Sequence, residues 1–302
     1  MAEHHASLRI VIYPAPASNI EAMKSKKSLQ TLFDIISIGY ELLDGRILNT
    51  NAKYLAEQIN ALGGKVCRII TVGDDVDEIS AVIKDSLRRK VDWISTSGGL
   101  GPTYDDVTLQ GVAKALRRKL VLSKKAVEML KERYRELAEK GVVESAELTP
   151  HRMKMAMLPK GAKPLENEVG AAPGVLLKVG KTRIVCLPGV PKELENIFEK
   201  KVKPLLQKHI KKVYFADRWM GIEDVPESTL APEIDKIREK YPGVYIKSHP
   251  ERRGEKSFIR LYLKTLAKTR EKCEKILDSV EKEVAEAVSR LGGRTLKMEE
   301  EE

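Results

Sequence analysis

The sequence predicts an α/β protein, a doubly wound and mostly parallel sheet followed by a second, smaller α+β domain. Three observations predict it. From Phe33 onward short apolar runs alternate with helical stretches, the pattern of a parallel α/β sheet. Several of these runs end in glycine-rich turns that open directly into helices. Beyond residue 212 the order changes to strand, helix, strand, strand, helix, which fits a separate module. The implied division is an N-terminal extension over residues 1–30, the α/β domain over 31–212, the small domain over 213–292 and an acidic tail over 293–302.

The elements follow in order. Ile35, Ile36 and Ile38 make a first strand closed by Gly39, and residues 52–62 make a helix that ends at Gly63 and Gly64. Residues 66–72 (VCRIITV) make a second strand. Asp75, with Glu78 three positions later, reads as a capping box opening a helix that runs to Arg89. Residues 91–96 make a third strand, followed by GGLGPTYDD and a helix over about 107–118. Helical sequence returns over 124–140 and 150–157. Strands over 175–179 and 183–187 precede the turn PGVPKEL and a helix to about His209. The small module reads as strands 213–220, 243–248 and 257–265 with helices 226–240 and 268–290. Trp93 reads as core, and Trp219 suits a strand of the small domain or a subunit contact.

Composition narrows the function classes. A chain of 302 residues with 42% hydrophobic and 32% charged residues is long enough for two cores and too apolar for disorder. No apolar run approaches the roughly 18–20 residues of a membrane-spanning helix. Cys67, Cys186 and Cys273 are far apart and lack CxxC spacing, which argues against disulfides and zinc and for a reducing, cytoplasmic setting. The start carries no signal-peptide pattern, and Met23 is an alternative first residue.

The net charge of +10 invites a nucleic-acid reading, but it is unevenly spread. Residues 31–110 carry −4, residues 111–212 carry +13 and residues 213–302 carry −1. A basic middle beside an acidic centre suits a small phosphorylated ligand bridged by a cation. Nucleic acid is disfavoured, since residues 213–302 contain no GxxG loop.

The loop GGLGPTYDD, residues 98–106, carries the strongest chemical signal. Gly98, Gly99 and Gly101 allow backbone conformations closed to other residues, and a helix start behind them offers N–H groups to an anion. The loop is neither a Walker motif nor GxGxxG. Asp105 and Asp106 beside a phosphate would repel it unless a cation lay between them, although either one also suits a helix N-cap. Glu41 follows the first strand and Asp74 the second. Singly, each such carboxylate reads as a cap or turn residue. Together, Glu41, Asp74 and Asp106 at three adjacent strand ends suit one hard cation, Mg²⁺ or Mn²⁺.

The segments GYELLDGRILNTNAKYLA, TVGDDVDEI, STSGGLGPTYDDVTLQGVAKAL and NEVGAAPGVLL followed by CLPGVPKEL together resemble the competence/damage-inducible protein A (CinA) family. The resemblance runs from about Phe33 to Gly292. It implies a molybdopterin-binding-like domain, of the kind found in the MoaB/MogA proteins, and a small KH-like module. It also implies metal-dependent hydrolysis of nucleotide pyrophosphates such as ADP-ribose or FAD, with Mg²⁺, Mn²⁺ or Co²⁺ as the metal. By motif position, Glu41, Asp74 and Asp106 match the family's acidic residues, and Gly98, Gly99, Gly101 and Thr103 its phosphate loop. Asp105 is the candidate general base. Gly189 and Lys192 of PGVPKEL are candidate phosphate contacts, Lys192 equally a first-turn surface residue. The alternative is a molybdopterin-binding or adenylyl-transfer protein without hydrolysis. Tyr40 departs from the family, which carries Thr or Asn there. Many bacterial members add a domain that deamidates nicotinamide mononucleotide, an activity not expected of this chain. Relatives of the fold imply a homo-oligomer, dimer or trimer.

Overall fold

The structure, a computed structural model, describes residues 29–253 and 256–298. Nearly all of the expected N-terminal extension and the Glu299–Glu302 run lie outside the described residues. Six strands form the main sheet: β1 (Leu32–Ile38), β2 (Lys65–Val72), β3 (Trp93–Ser97), β6 (Lys163–Leu165), β7 (Gly174–Val179) and β8 (Thr182–Leu187), in the order β2-β1-β3-β8-β7-β6. The first four in that order are parallel, while β7 and β6 are antiparallel additions at one edge. The chain leaves β1 for β2 on one side and then crosses to β3 on the other. The carboxyl ends of β1 and β3 therefore form a topological switch point, where an α/β sheet opens a crevice for ligands.

Helices cover both faces. They are α1 (Tyr40–Leu43), α2 (Thr50–Ala61), α3 (Val76–Arg88), α4 (Thr108–Leu116), α5 (Lys124–Glu139), α6 (Pro150–Lys154), α7 (Pro191–Ile197) and α8 (Lys203–His209), the last two joined by a π turn at Phe198–Val202. Alternation along β1 divides the core. Ile36 and Ile38 pack with Ile79, Ile83, Val112 and Leu130 on one face, while Phe33 and Ile35 pack with Leu55, Ile59, Trp93 and Phe198 on the other. Trp93 is 1% exposed and stacks on Phe33, so its expected place in the core is the observed one.

The sequence pattern misses β4 (Leu120–Leu122), β5 (Met157–Pro159) and β6. Each spans only three residues, and β4 pairs with β5 across a long insertion. The capping box at Asp75 is half as expected. Asp75 Oδ1 accepts from the N–H of Asp77 and Glu78 at 2.8 and 2.9 Å, but Glu78 reaches back to Gly73 N at 3.3 Å, not to Asp75.

The C-terminal module contains β9 (Tyr214–Glu223), α9 (Glu227–Lys240), β10 (Val244–Arg253), β11 (Lys256–Ala267) and α10 (Arg270–Arg290). A further strand, β12 (Arg294–Lys297), lies where the sequence reading placed the acidic tail. It pairs with β9 and sets Leu296 opposite Gly221, whose missing side chain leaves room for it. The sheet runs β10-β11-β9-β12, all antiparallel. Both helices pack on one face through Leu230, Ile237, Leu277, Val280, Val284 and Val288. No helix among the described residues is long and apolar enough to cross a membrane.

Candidate functional site

The site is built where β1, β2, β3 and β8 end. Gly39 follows β1 and donates its N–H to Val72 O at 3.0 Å. The short α1 then carries Tyr40 and Glu41. The Tyr40 ring covers Gly73 so closely that a side chain there would overlap it. Tyr40 N–H, not its hydroxyl, makes the contact to the site, donating to Asp74 Oδ2 at 3.0 Å. Asn49 caps α2 by accepting from Ala52 N at 3.1 Å, and its Oδ1 also accepts from Ser37 of β1. One turn on, Asn51 Nδ2 donates to Gly189 O at 2.7 Å and ties α2 to the β8 turn.

The loop after β3 has a left-handed start, with φ of 103° at Gly98 and 65° at Gly99. A Cβ on Gly98 would collide with Ile38 O, and one on Gly99 with Thr108 Oγ1, so only glycine serves at either place. Gly98 N donates to Leu187 O at 3.0 Å, and Thr108 Oγ1 donates to Gly98 O at 2.8 Å. Gly101 permits close approach of Asp106, whose Oδ2 would lie 2.5 Å from any Cβ added there. That oxygen accepts from Thr103 N at 2.9 Å and from Thr103 Oγ1 at 2.6 Å. The same hydroxyl lies within hydrogen-bond reach of Asp105, and Lys154 of α6 donates to Thr103 O. By contrast, among the described residues the N–H groups of Gly99, Leu100 and Gly101 donate to no protein acceptor. These three residues line a small, open depression whose wall includes Asp106, Lys154 and Met155.

The PGVPKEL turn lies against this loop. A Cβ on Gly189 would stand 3.4 Å from Gly98 Cα. Lys192 is exposed on the first turn of α7. The neighbouring Glu193 is half-buried. It accepts from Asn167 Nδ2 at 2.7 Å, and burial pushes its carboxyl above the ordinary range. Asn167 also accepts from Val169 N and Gly170 N, and Arg133 donates to Gly170 O at 2.9 Å, so the NEVGAAPG segment is pinned from three sides.

The carboxylates differ in character. Burial raises Asp74 above its ordinary value of 3.8, and the charges of Glu41, Asp105 and Asp106 raise it further, against the lowering effect of Tyr40 N–H. Asp105 is held below the ordinary value, first by the Thr103 hydroxyl and also by Lys154, which makes it the weaker proton acceptor. Among the described residues no group of three or more such donors is already arranged to hold a metal ion. Asp74 and Asp106 are engaged by Tyr40 N–H and by Thr103, respectively.

Sequence reasoning located the loop and the carboxylates but not Asn51, Lys154, Asn167 or Glu193. The NTN triplet ahead of α2 was the available signal for Asn51. The rest act across folds of the chain that no local pattern records.

Comparison with known proteins agrees with this geometry. Residues 34–208 match the family described as "Probable molybdopterin binding domain". A protein of Metallosphaera sedula is 41% identical over 261 residues, covering 86% of this chain and 95% of its own length. One from Aeropyrum pernix is 44% identical over 263 residues, covering 86% and 94%. Among solved structures, the protein CinA with unknown function from Thermoplasma acidophilum is 38% identical, with a TM-score of 0.53, covering 59% of this chain and 99% of that one. The CinA resemblance carried by the sequence motifs thus holds in three dimensions. The fold, the strand-end loops and the match over 34–208 together show that the chain belongs to the family of probable molybdopterin binding domains.

Proposed function

We propose that the α/β domain binds the phosphate end of a small pterin or nucleotide phosphate at the Gly98–Asp106 loop. The observation that carries this reading is the set of three consecutive N–H groups, at Gly99, Leu100 and Gly101, that no protein acceptor among the described residues uses. The three residues line a depression between the loop after β3, α4 and α6, with Lys154 at its wall. Successive free amides after a left-handed glycine pair make a nest for an anion. The Lys154 ammonium adds positive charge beside it, and Met155 and Leu100 offer apolar contact to a ring. Equilibrium dialysis against ADP-ribose and against a pterin phosphate tests this. The reading requires saturable binding of at least one of them, and binding of neither contradicts it.

Asp74 favours a second reading, metal-dependent cleavage of a nucleotide pyrophosphate. Burial raises the Asp74 carboxyl, and the charges of Glu41, Asp105 and Asp106 raise it further, a repulsion that a divalent cation would relieve. The donor set is all oxygen, which fits Mg²⁺, Mn²⁺ or Co²⁺, and Glu41, Asp74 and Asp106 would hold it once Asp106 leaves Thr103. Such an ion supplies a more acidic bound water. Asp105, outside that ligand set, is the remaining carboxylate for the base role, although the Thr103 hydroxyl holds it below its ordinary value and so weakens it as a proton acceptor. Incubation with ADP-ribose and each metal, followed by assay for AMP, separates the two readings. AMP release that Asp106→Ala abolishes supports cleavage, and binding without AMP under every metal leaves the first reading alone.

A further inference from the structure

The C-terminal module carries a second surface, remote in sequence from the loop described above and independent of its reading. With β12 added, the module has the order β-α-β-β-α-β and a four-stranded antiparallel sheet with β9 and β11 in the middle. The helices cover the face of Met220, Ile222, Ile259, Leu261 and Leu263. Alternation places Phe215, Trp219, Tyr245 and Tyr262 on the opposite face. Phe258 of β11 shares this face at 2% exposure, and the chain is only 5% aromatic, so five rings on the sheet face that the module's two helices leave uncovered are a concentration that the helix-covered core does not explain.

The rings form one cluster. Trp219 and Tyr262 are directly opposed on β9 and β11 with centroids 4.8 Å apart. Tyr245 lies 6.3 Å from Tyr262 and is 55% exposed. Cations alternate with them. Tyr245 opposes Lys264, and Tyr262 opposes Lys247. The Arg260 guanidinium lies 4.8 Å over Trp219, and Lys264 Nζ 5.0 Å over the 63% exposed Phe215. Same-face residues recur about every 6.8 Å along a strand and about 4.8 Å across strands, so ring and cation alternate over the sheet. Four-stranded sheets that read RNA do so with aromatic rings on which successive bases stack. The net charge of −1 over residues 213–302 concealed the surface, because four of the negative charges are the Glu299–Glu302 run, and residues 213–298 alone carry +3.

We propose that this sheet face binds single-stranded RNA, with Tyr245 and Tyr262 as base platforms, Trp219 and the Arg260 stacked on it as their support, and Lys247 and Lys264 as phosphate contacts. Asp217, which accepts from Tyr262 at 2.8 Å, assigns RNA over DNA. A carboxylate among the rings accepts a hydrogen bond from a ribose 2′-OH, a donor that DNA lacks. This mode does not use a GxxG loop, whose absence argued against nucleic acid in the sequence.

The test titrates the full chain with fluorescein-labelled oligouridine RNA, the matching single-stranded DNA and an RNA duplex, reading anisotropy and Trp219 quenching. Trp93 is buried and contributes a constant background. The expected result is RNA binding at least about tenfold tighter than DNA or duplex. Its salt dependence should show a log–log slope of about −1.4, from two phosphate contacts. Tyr245→Ala, at an exposed position, should weaken binding about tenfold without lowering the melting temperature. The pair Lys247→Glu and Lys264→Glu should do so at least as strongly. Absence of RNA binding, equal binding of DNA, or variants that bind like the parent would overturn the proposal. So would Tyr245→Ala shifting the mass from oligomer to monomer while RNA binding stays unchanged, which would make this face a subunit contact.

Discussion

Gly98 and Gly189 lie against each other at the carboxyl edge of the sheet, with room for only 3.4 Å between a Cβ on Gly189 and Gly98 Cα. This contact joins the loop after β3 to the turn after β8, and Asn51 clamps the far side by bonding Gly189 O.

The two glycines are not equivalent, and substitution should tell them apart. Gly98→Ala adds a carbon into Ile38 O at a φ of 103°, and should cost at least about 1–3 kcal/mol of stability. Gly189→Ala meets only an ordinary contact and should melt close to the parent. Thermal unfolding of the two variants checks this. Equal losses would mean that the close approach to Ile38 is misplaced.

Asp74 gives a pH signature. Its folded carboxyl is raised above 3.8, so the folded state holds the proton more tightly than the unfolded chain. The charge therefore weakens the fold as pH rises above 3.8 through the folded value. Asp74→Asn should melt above the parent at pH 7, and the gap should close as pH falls toward 3.8. The parent, more than the variant, should gain stability from millimolar Mg²⁺. A gap that widens on acidification would reverse the sign and contradict the clustering of carboxylates.

At the opposite end of β1, Asp34 has a fully buried side chain and accepts from Arg68 at 2.6 Å and Ser86 at 2.7 Å, while Arg68 also pairs with Asp85. Removing Asp34 takes away the buried one of Arg68's two carboxylate partners and leaves the buried Ser86 hydroxyl without its acceptor. Asp34→Ala should cost about 3–5 kcal/mol in urea unfolding while leaving ligand binding at the distant loop intact. A loss under about 1 kcal/mol would show that Asp85 alone satisfies Arg68.

Burial pushes the Cys186 thiol up to about 11. At pH 8 little thiolate exists, so iodoacetamide should leave Cys186 unmodified in the native protein and label it only after unfolding. Mass spectrometry of peptic fragments reads this directly. Rapid native labelling would mean that β8 opens.

The main sheet was legible in the sequence because its parallel strands β1, β2, β3 and β8 and the antiparallel β7 are apolar runs of five to eight residues closed by turn residues. Strands β4, β5, β6 and β12 were not, since three or four residues become a strand only through a partner, as Leu120 does with Pro159. The same division holds at the site. Gly98, Gly99 and Asp106 announce themselves by local chemistry. Asn51 acts on Gly189 across 138 positions and Lys154 on Thr103 across 51, distances over which no spacing rule operates. The aromatic face was hidden for a related reason: strand alternation was visible, but which side the helices cover was not.

Calorimetric titration of ADP-ribose and a pterin phosphate into the parent, Thr103→Val and Lys154→Ala tests the central claim most directly. All three proteins should fold alike, because Thr103 is exposed and Lys154 only half-buried, and neither belongs to the hydrophobic core. The account predicts saturable binding of one ligand by the parent and a loss of at least about tenfold in Lys154→Ala, with a smaller loss in Thr103→Val. Binding that is unchanged in both variants, or absent in the parent for every phosphorylated ligand, would contradict a phosphate site at Gly98–Asp106.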